Sequence, residues 1–406
     1  MDLRRRLAQL DRLTRSSAGP PVRSEMTDDP GLATGDHELA LARDLGLSLV
    51  HSPAGPVWQR LDRRPDVPMP SGRVPDLAGI LPVPAPRDLA WSEILFLDTE
   101  TTGLAGGTGT LAFLLGLAWW DAEGFQVQQL MLPGPGREGP MLALLEQLAR
   151  RFRVVATYNG ASFDRPLLRT RARLDRRDDP LQGLASWDLL VGTRRCWGRR
   201  LADCRQQTIE ARICGLVRGA GDIDGVAIPA AYQHYVRTGT AGDLPAVLRH
   251  NRRDMDGMAH ILVALAAESA LVTTAETCAT SWPDAWSRAL IGERRGDRGV
   301  AAAWACRLAD PDVVPLAAEM ALRDAIRLLK RIGDHGAVER LVSGGLRRWP
   351  GANWLHYEAA VLYEHRLGDL ARAMIHAERL GDPHRCARLQ TRLLRDGGCP
   401  PGRTSV

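Results

Sequence analysis

Asp98 and Glu100 stand one residue apart, just after the apolar residues 94–97. Side chains of a strand alternate between its faces, so this spacing aims both carboxylates the same way at the strand's C-terminal end. Converging carboxylates repel each other, and a cation between them relieves the repulsion. Two further acids stand in informative contexts, the first of which leads to the same sheet end. Asp164 closes Asn159-Gly160-Ala161-Ser162-Phe163-Asp164, which follows the apolar residues 154–158 and opens a helix whose dipole favours an acid. Asp254 comes four residues after His250 in His250-Asn251-Arg252-Arg253-Asp254, so the pair shares one face of a helix expected over 243–267. Taken singly, these are a polar turn, a helix cap and an ordinary histidine. If the four converge, carboxylates with no cysteine would make a hard, oxygen-donor site of the kind that Mg2+ or Mn2+ occupies.

The elements that must position these residues are legible as changes of hydrophobic period. Residues 94–98, 110–120 and 125–132 read as three strands, with a hairpin turn at 121–124, and 154–158 as a fourth. Met141, Leu142, Leu144, Leu145 and Leu148 form a helical stripe within 138–152, and 187–190 is a short extended piece. Strand, strand, strand, helix, strand, helix is the order of a ribonuclease H-like mixed sheet with flanking helices, here assigned to residues 90–270. Residues 1–89, rich in Pro, Gly, Ser and Arg, are expected to be an N-terminal helix over 1–13 and largely disordered linker, with one helix near 37–47. Residues 280–396 read as an all-α region of helical hairpins, tetratricopeptide-like in the recurrence of Gly296-Asp297, Gly333-Asp334 and Gly368-Asp369 and in the helical spacing of Trp354, Tyr357, Ala360 and Tyr363.

The motifs around the four acids resemble the DEDD family of 3′-to-5′ exonucleases over roughly residues 91–267, with Asp98-Thr99-Glu100-Thr101-Thr102-Gly103 as the most specific signature. The run from Leu97 to Thr110, the Tyr158–Asp164 segment and the His250–Asp254 segment are more similar still to the YprB-type ribonuclease H-like proteins, a group that often carries helical repeats after the nuclease-like domain. The resemblance implies that Asp98, Glu100, Asp164 and Asp254 hold two divalent ions, Mg2+ or Mn2+. It implies catalytic roles for His250 and Glu100, and a metal-dependent nuclease acting as a 3′-5′ exonuclease. His250 stands at the four-residue spacing at which the family's tyrosine branch places its tyrosine, where the histidine branch uses five. Thr101, Thr102 and Leu104 just past the first strand, with Asn159, Phe163 and Arg165 around the second motif, are the expected substrate contacts. Gly106-Gly107-Thr108-Gly109 would let backbone N–H groups approach a phosphate, or would serve simply as a flexible connection.

Composition narrows the partners. The 406 residues carry a formal net charge of +5, which suits an anionic partner, and every basic residue except Lys330 is arginine. Arginines 165, 169, 171, 173, 176 and 177 follow Asp164, and Arg194, Arg195, Arg199 and Arg200 surround Trp197. They are read either as a groove for single-stranded nucleic acid or as a solvated face. Seven scattered cysteines without a C-x-x-C pair indicate neither a zinc site nor a disulfide framework and fit a reducing, cytoplasmic setting. No hydrophobic signal core follows the N-terminus, and no membrane partner is expected. Nucleic acid, DNA or RNA, is the expected partner, with a protein partner for the helical region. Two alternatives keep the same residues: a non-catalytic nucleic-acid-binding scaffold, and a structure-specific endonuclease.

Overall fold

The computed structural model describes residues 36–103, 109–219, 221–274, 281–308 and 318–395. The chain divides into compact units at 1–40 and 41–406; of the first, only residues 36–40, the start of a helix, are described.

The second unit is built on a seven-stranded sheet. In chain order its strands are β1 (Ser48–Ser52), β2 (Gly55–Arg64), β3 (Ile94–Thr101), β4 (Ala112–Asp121), β5 (Gly124–Met131), β6 (Val154–Thr157) and β7 (Ala185–Asp188). Their spatial order is β1-β2-β5-β4-β3-β6-β7, antiparallel from β1 to β3 and parallel across β3, β6 and β7. Apolar side chains cover both faces, which is why β4 reads as a continuous apolar run rather than an alternating one. Leu95 and Leu97 pack into the core under helices α2 (Glu138–Ala149) and α3 (Asp164–Leu174), whereas Ile94 and Phe96 pack into the core on the opposite face. Helix α1 (Asp36–Asp44) precedes the sheet, and α4 (Leu189–Trp197), the short α5 (Gln206–Ile209) and α6 (Ile228–Thr238) follow it. The long α7 (Leu244–Val272) crosses it, contributing Met255, Met258, Ile261, Leu262 and Leu265 to the core that holds Phe96.

By parity, Asp98 and Glu100 share the face of Phe96, the face that α7 covers. Helix α7 is long and apolar enough, by length and composition, to cross a membrane. Its apolar residues are instead spent on the sheet, with Met255, Met258, Ile261 and Leu262 fully buried.

The largely disordered linker expected over 1–89 is corrected where the structure describes it. Helix α1 falls where one was expected near 37–47, but residues 48–64 form two strands of the sheet and Leu77, Ile80, Leu81 and Leu89 are buried in its core. The ladder from β2 to β5 pairs residues some seventy positions apart, and β2 carries charged residues near its end, so no local period announces it. The expected helix over 1–13 lies outside the described residues.

Among the described residues seven α-helices follow: α8 (Trp282–Arg294), α9 (Arg298–Leu308), α10 (Ala318–Ile332), α11 (His335–Arg348), α12 (Asn353–Leu362), α13 (Leu370–Leu380) and α14 (Pro383–Arg395). Each recurrent Gly-Asp pair is a helix-to-helix turn. Gly296, Gly333 and Gly368 adopt φ of +75°, +83° and +70°, ending one helix in the left-handed conformation. The aspartates then cap the next helix, their Oδ1 atoms accepting from Val300, Ala337 and Arg372 N–H. Gly381-Asp382 repeats the device, Asp382 accepting from Arg385 N–H. This region is joined to the sheet domain by a buried ion pair between Arg288 and Glu268, at 2.6 Å, and by Trp304 Nε1 donating to the Val272 carbonyl.

Candidate metal centre at the strand end

Asp98 and Glu100 leave β3 on the α7 side, and α7 returns His250, Asn251 and Asp254 to them. The donor atoms of Glu100, His250 and Asp254 all lie within 4.8 Å of one another, close enough to hold a metal ion together. Asp98 and Asp164 belong to the same neighbourhood, since both feel the charges around them. Burial, then the charges of Glu100, Asp254 and Asp164, push the Asp98 carboxyl well above the usual carboxylate range. Glu100 is pushed up to about 8 by burial and by Asp254 and Asp164, against the opposing pull of Asn251 and Arg218. Burial raises Asp164 to about 6 although it accepts from Thr99. Asp254 is likewise raised by burial, with His250 and Arg218 opposing.

Each carboxylate has its own support. Asn251, wholly buried, donates from Nδ2 to Asp98 Oδ2 at 2.9 Å and accepts from Gln129 Nε2 at 3.0 Å. It lies flat against Gly116, where an added Cβ would come within 2.4 Å of Asn251 Oδ1. Gly116 faces Asp98 on one side and Gln129 on the other in the strand register, so three adjacent strands cooperate to seat this one amide. Asp164 Oδ1 accepts from the Thr99 N–H at 3.1 Å and from the Thr99 hydroxyl. The turn that presents Asp164 is held by the buried Asp188, which accepts from Asn159 N–H at 2.9 Å, from Ala161 N–H and from Leu190 N–H. Asn159 sits at φ +67°, and a Cβ at Gly160 would stand 2.4 Å from Thr157 Cβ and 2.8 Å from Asp164 Oδ2.

On the far side, His250 Nδ1 lies 3.0 Å from Asp222 Oδ1 and Nε2 lies 3.2 Å from Asp254 Oδ2. The four-residue spacing therefore does place histidine and aspartate in contact. Arg218 pairs through two nitrogens with the buried Glu210, and also with Asp222 and Asp254. Glu210 in turn fits against Gly257 of α7, where a Cβ would come within 1.9 Å of its Oε1. An oxygen-rich set with one imidazole, buried and mutually repulsive, fits a hard divalent cation such as Mg2+ or Mn2+.

The expected substrate contacts divide. Phe163 is 56% exposed beside Asp164, its ring available to a ligand. Thr101 donates from its hydroxyl to the Gly103 carbonyl, and Thr102 clasps Leu111 through two hydrogen bonds of 3.0 Å, so both brace the base of the following loop. Arg165 turns toward Asp179 and the Leu181 carbonyl. Leu104 and residues 106–108 lie outside the described residues. Many arginines of the expected groove are engaged within the fold: Arg169 with Asp179, Arg171 with Glu138, Arg177 with Asp175, Arg195 with the Gly79 and Ile80 carbonyls, Arg200 with Asp284. Trp197 is buried and offers no stacking face.

Sequence reasoning missed Asn251, Gln129, Gly116, Arg218, Asp222 and Glu210. Only Asn251 carried a signal: it occupies the stripe of Leu248, Met255 and Met258, where an apolar residue is expected.

Residues 95–266 match the family model described as the RNase_H superfamily, and this part of the chain is RNase H-like in fold. Over 167 residues the chain is 36% identical to the protein described as uncharacterized protein YprB of Bacillus subtilis strain 168. That match covers 40% of this chain and 40% of that relative's length.

Proposed function

We propose that this protein is a divalent-metal-dependent nuclease that hydrolyses phosphodiester bonds of DNA or RNA, working as a 3′-to-5′ exonuclease. The observation that carries the reading is the convergence of four buried or half-buried carboxylates, Asp98, Glu100, Asp164 and Asp254, each raised by burial, with Asp98 and Glu100 raised further by the charges of the others. Such a cluster is unfavourable by itself and becomes favourable around cations. Asp98, Glu100, Asp164 and Asp254 would hold two Mg2+ or Mn2+ ions, with His250 within reach of the same centre. Ions so held would stabilise the attacking and leaving oxygens of an in-line displacement. His250 would take the proton on Nε2, which lies 3.2 Å from Asp254 Oδ2, while Nδ1 lies 3.0 Å from Asp222 Oδ1. Phe163 offers a face on which a base can stack next to Asp164. A cytoplasmic setting and a protein partner for the helical region belong to the same proposal.

The purified chain with Mg2+ or Mn2+ is expected to shorten a 5′-labelled oligonucleotide in a ladder, and Asp98→Ala to abolish the ladder. A ladder that persists in Asp98→Ala refutes the assignment, and cleavage of a circular substrate refutes strict exonuclease action in favour of an internal cut. One observation favours a non-catalytic scaffold: the Arg218 guanidinium already supplies positive charge to Asp254. Calorimetric titration with Mn2+ separates the two, because a scaffold neutralised by Arg218 has no need of the ion.

A further inference from the structure

Across α7 from the carboxylates lies a second feature, an open cleft of about 690 Å³. A helix turns by about 100° per residue, so Arg249 and Arg252 project from the flank of α7 opposite to His250 and Asp254. They meet Arg60 and Asp62 of β2 and Arg43 and Asp44 at the end of α1. Four arginines thus converge on two aspartates. Asp62 is already engaged, with Arg60 at 2.9 Å and with Arg252 at 3.6 Å. Arg43 and Arg249 are exposed and have no ion-pair partner among the described residues, and Arg252 Nε is buried without a hydrogen-bond acceptor. Arg43 and Arg249 are therefore surplus guanidinium groups that no carboxylate among the described residues pairs, and guanidinium is the side chain best matched to phosphate oxygens.

The register relates this cleft to the metal centre. Asp98, Gly116, Gln129 and Arg60 stand opposite one another on four successive strands. At about 4.8 Å per strand, Arg60 lies roughly 14 Å from Asp98 along the sheet.

We propose that the arginine cleft binds the phosphodiester backbone of a nucleic acid, outside the carboxylate centre. The choice of nucleic acid rests on the functional reading above, but the experiment does not depend on hydrolysis. Binding of the full-length chain to a 5′-fluorescein single-stranded oligonucleotide is followed by anisotropy in EDTA across a salt series, for the unaltered protein and for Arg43→Gln/Arg249→Gln. Both side chains are exposed and without an ion-pair partner among the described residues, so the variant's thermal midpoint serves as the folding control. Loss of two phosphate contacts is expected to reduce the slope of log affinity against log salt by about 1.4, which is about 25-fold in affinity at 0.1 M salt. An unchanged slope and affinity overturns the proposal. So does a result in which inorganic phosphate or a nucleoside monophosphate binds with this arginine dependence while the oligonucleotide is unaffected, which assigns the cleft to a small anion. Because EDTA removes divalent ions, the nuclease reading can fail while the arginine dependence stands, and the reverse.

Discussion

Replacing Glu100 by Gln should stabilise the metal-free protein while removing part of the proposed metal site, and the effect should grow with pH. Glu100 is buried and its carboxyl is raised from 4.5 to about 8 by burial and by Asp254 and Asp164. A carboxyl raised on folding binds more protons in the native state than in the unfolded chain between those two values. Stability therefore falls as pH rises through the window from about 4.5 to about 8. With 1.36 kcal/mol per unit, this group alone lowers stability by roughly 1 kcal/mol at pH 5 and roughly 4 kcal/mol at pH 8, a difference of about 3 kcal/mol. Glutamine keeps the shape and cannot ionise, so the variant's stability should be flatter over that range. For a chain this size the gain should be several degrees in melting temperature at pH 8, at roughly 2–4 °C per kcal/mol or somewhat less. The assay is thermal unfolding by circular dichroism in EDTA at pH 5, 6, 7 and 8. Saturating Mn2+ should raise and flatten the unaltered protein's curve while shifting Glu100→Gln less. A variant no more stable at pH 8, with the same pH slope as the unaltered protein, would refute the reasoning.

Three further outcomes are expected. Asn251→Ala removes a hydrogen bond to the half-buried Asp98 carboxylate and should cost about 1.5–3 kcal/mol in urea unfolding, with weaker Mn2+ binding in calorimetry. Gly160→Ala drives a methyl group into Thr157 and Asp164; it should cost about 1–3 kcal/mol and lower nuclease activity more than it lowers the folded fraction at 25 °C. Arg288→Met strands the buried Glu268 and should destabilise by about 3–5 kcal/mol, whereas Arg288→Met/Glu268→Met should recover most of the loss, measured as a double-mutant cycle by denaturant unfolding.

Local chemistry made much of this protein legible. The apolar run ending at 98, the strand-like run over 125–132 and the helical stripe over 243–267 became β3, β5 and α7 within a few residues. The Gly-Asp pairs became turns because a left-handed glycine and a capping aspartate are properties of short sequence. The strands β1 and β2 were not legible, since their pairing with each other and with β5 is decided by the sheet edge they cover. Thr101, Thr102 and Arg165 could be named beside the motifs, but their partners Gly103, Leu111, Asp179 and Leu181 show them bracing loops.

By itself, the sequence determined which site residues share a face, Asp98 with Glu100 and His250 with Asp254: one-residue spacing in a strand and four-residue spacing in a helix are geometry that the backbone imposes everywhere. Only the tertiary structure decided what surrounds them. Asn251 reaches Asp98 because α7 crosses the sheet over Gly116, where no side chain stands in the way. Arg218 reaches Asp254 from thirty-six residues away. The arginine cleft exists because β2 and α1 close against the far flank of the helix that carries His250 and Asp254. Those are long-range contacts, settled by which surfaces bury together and not by the residues on either side in the chain.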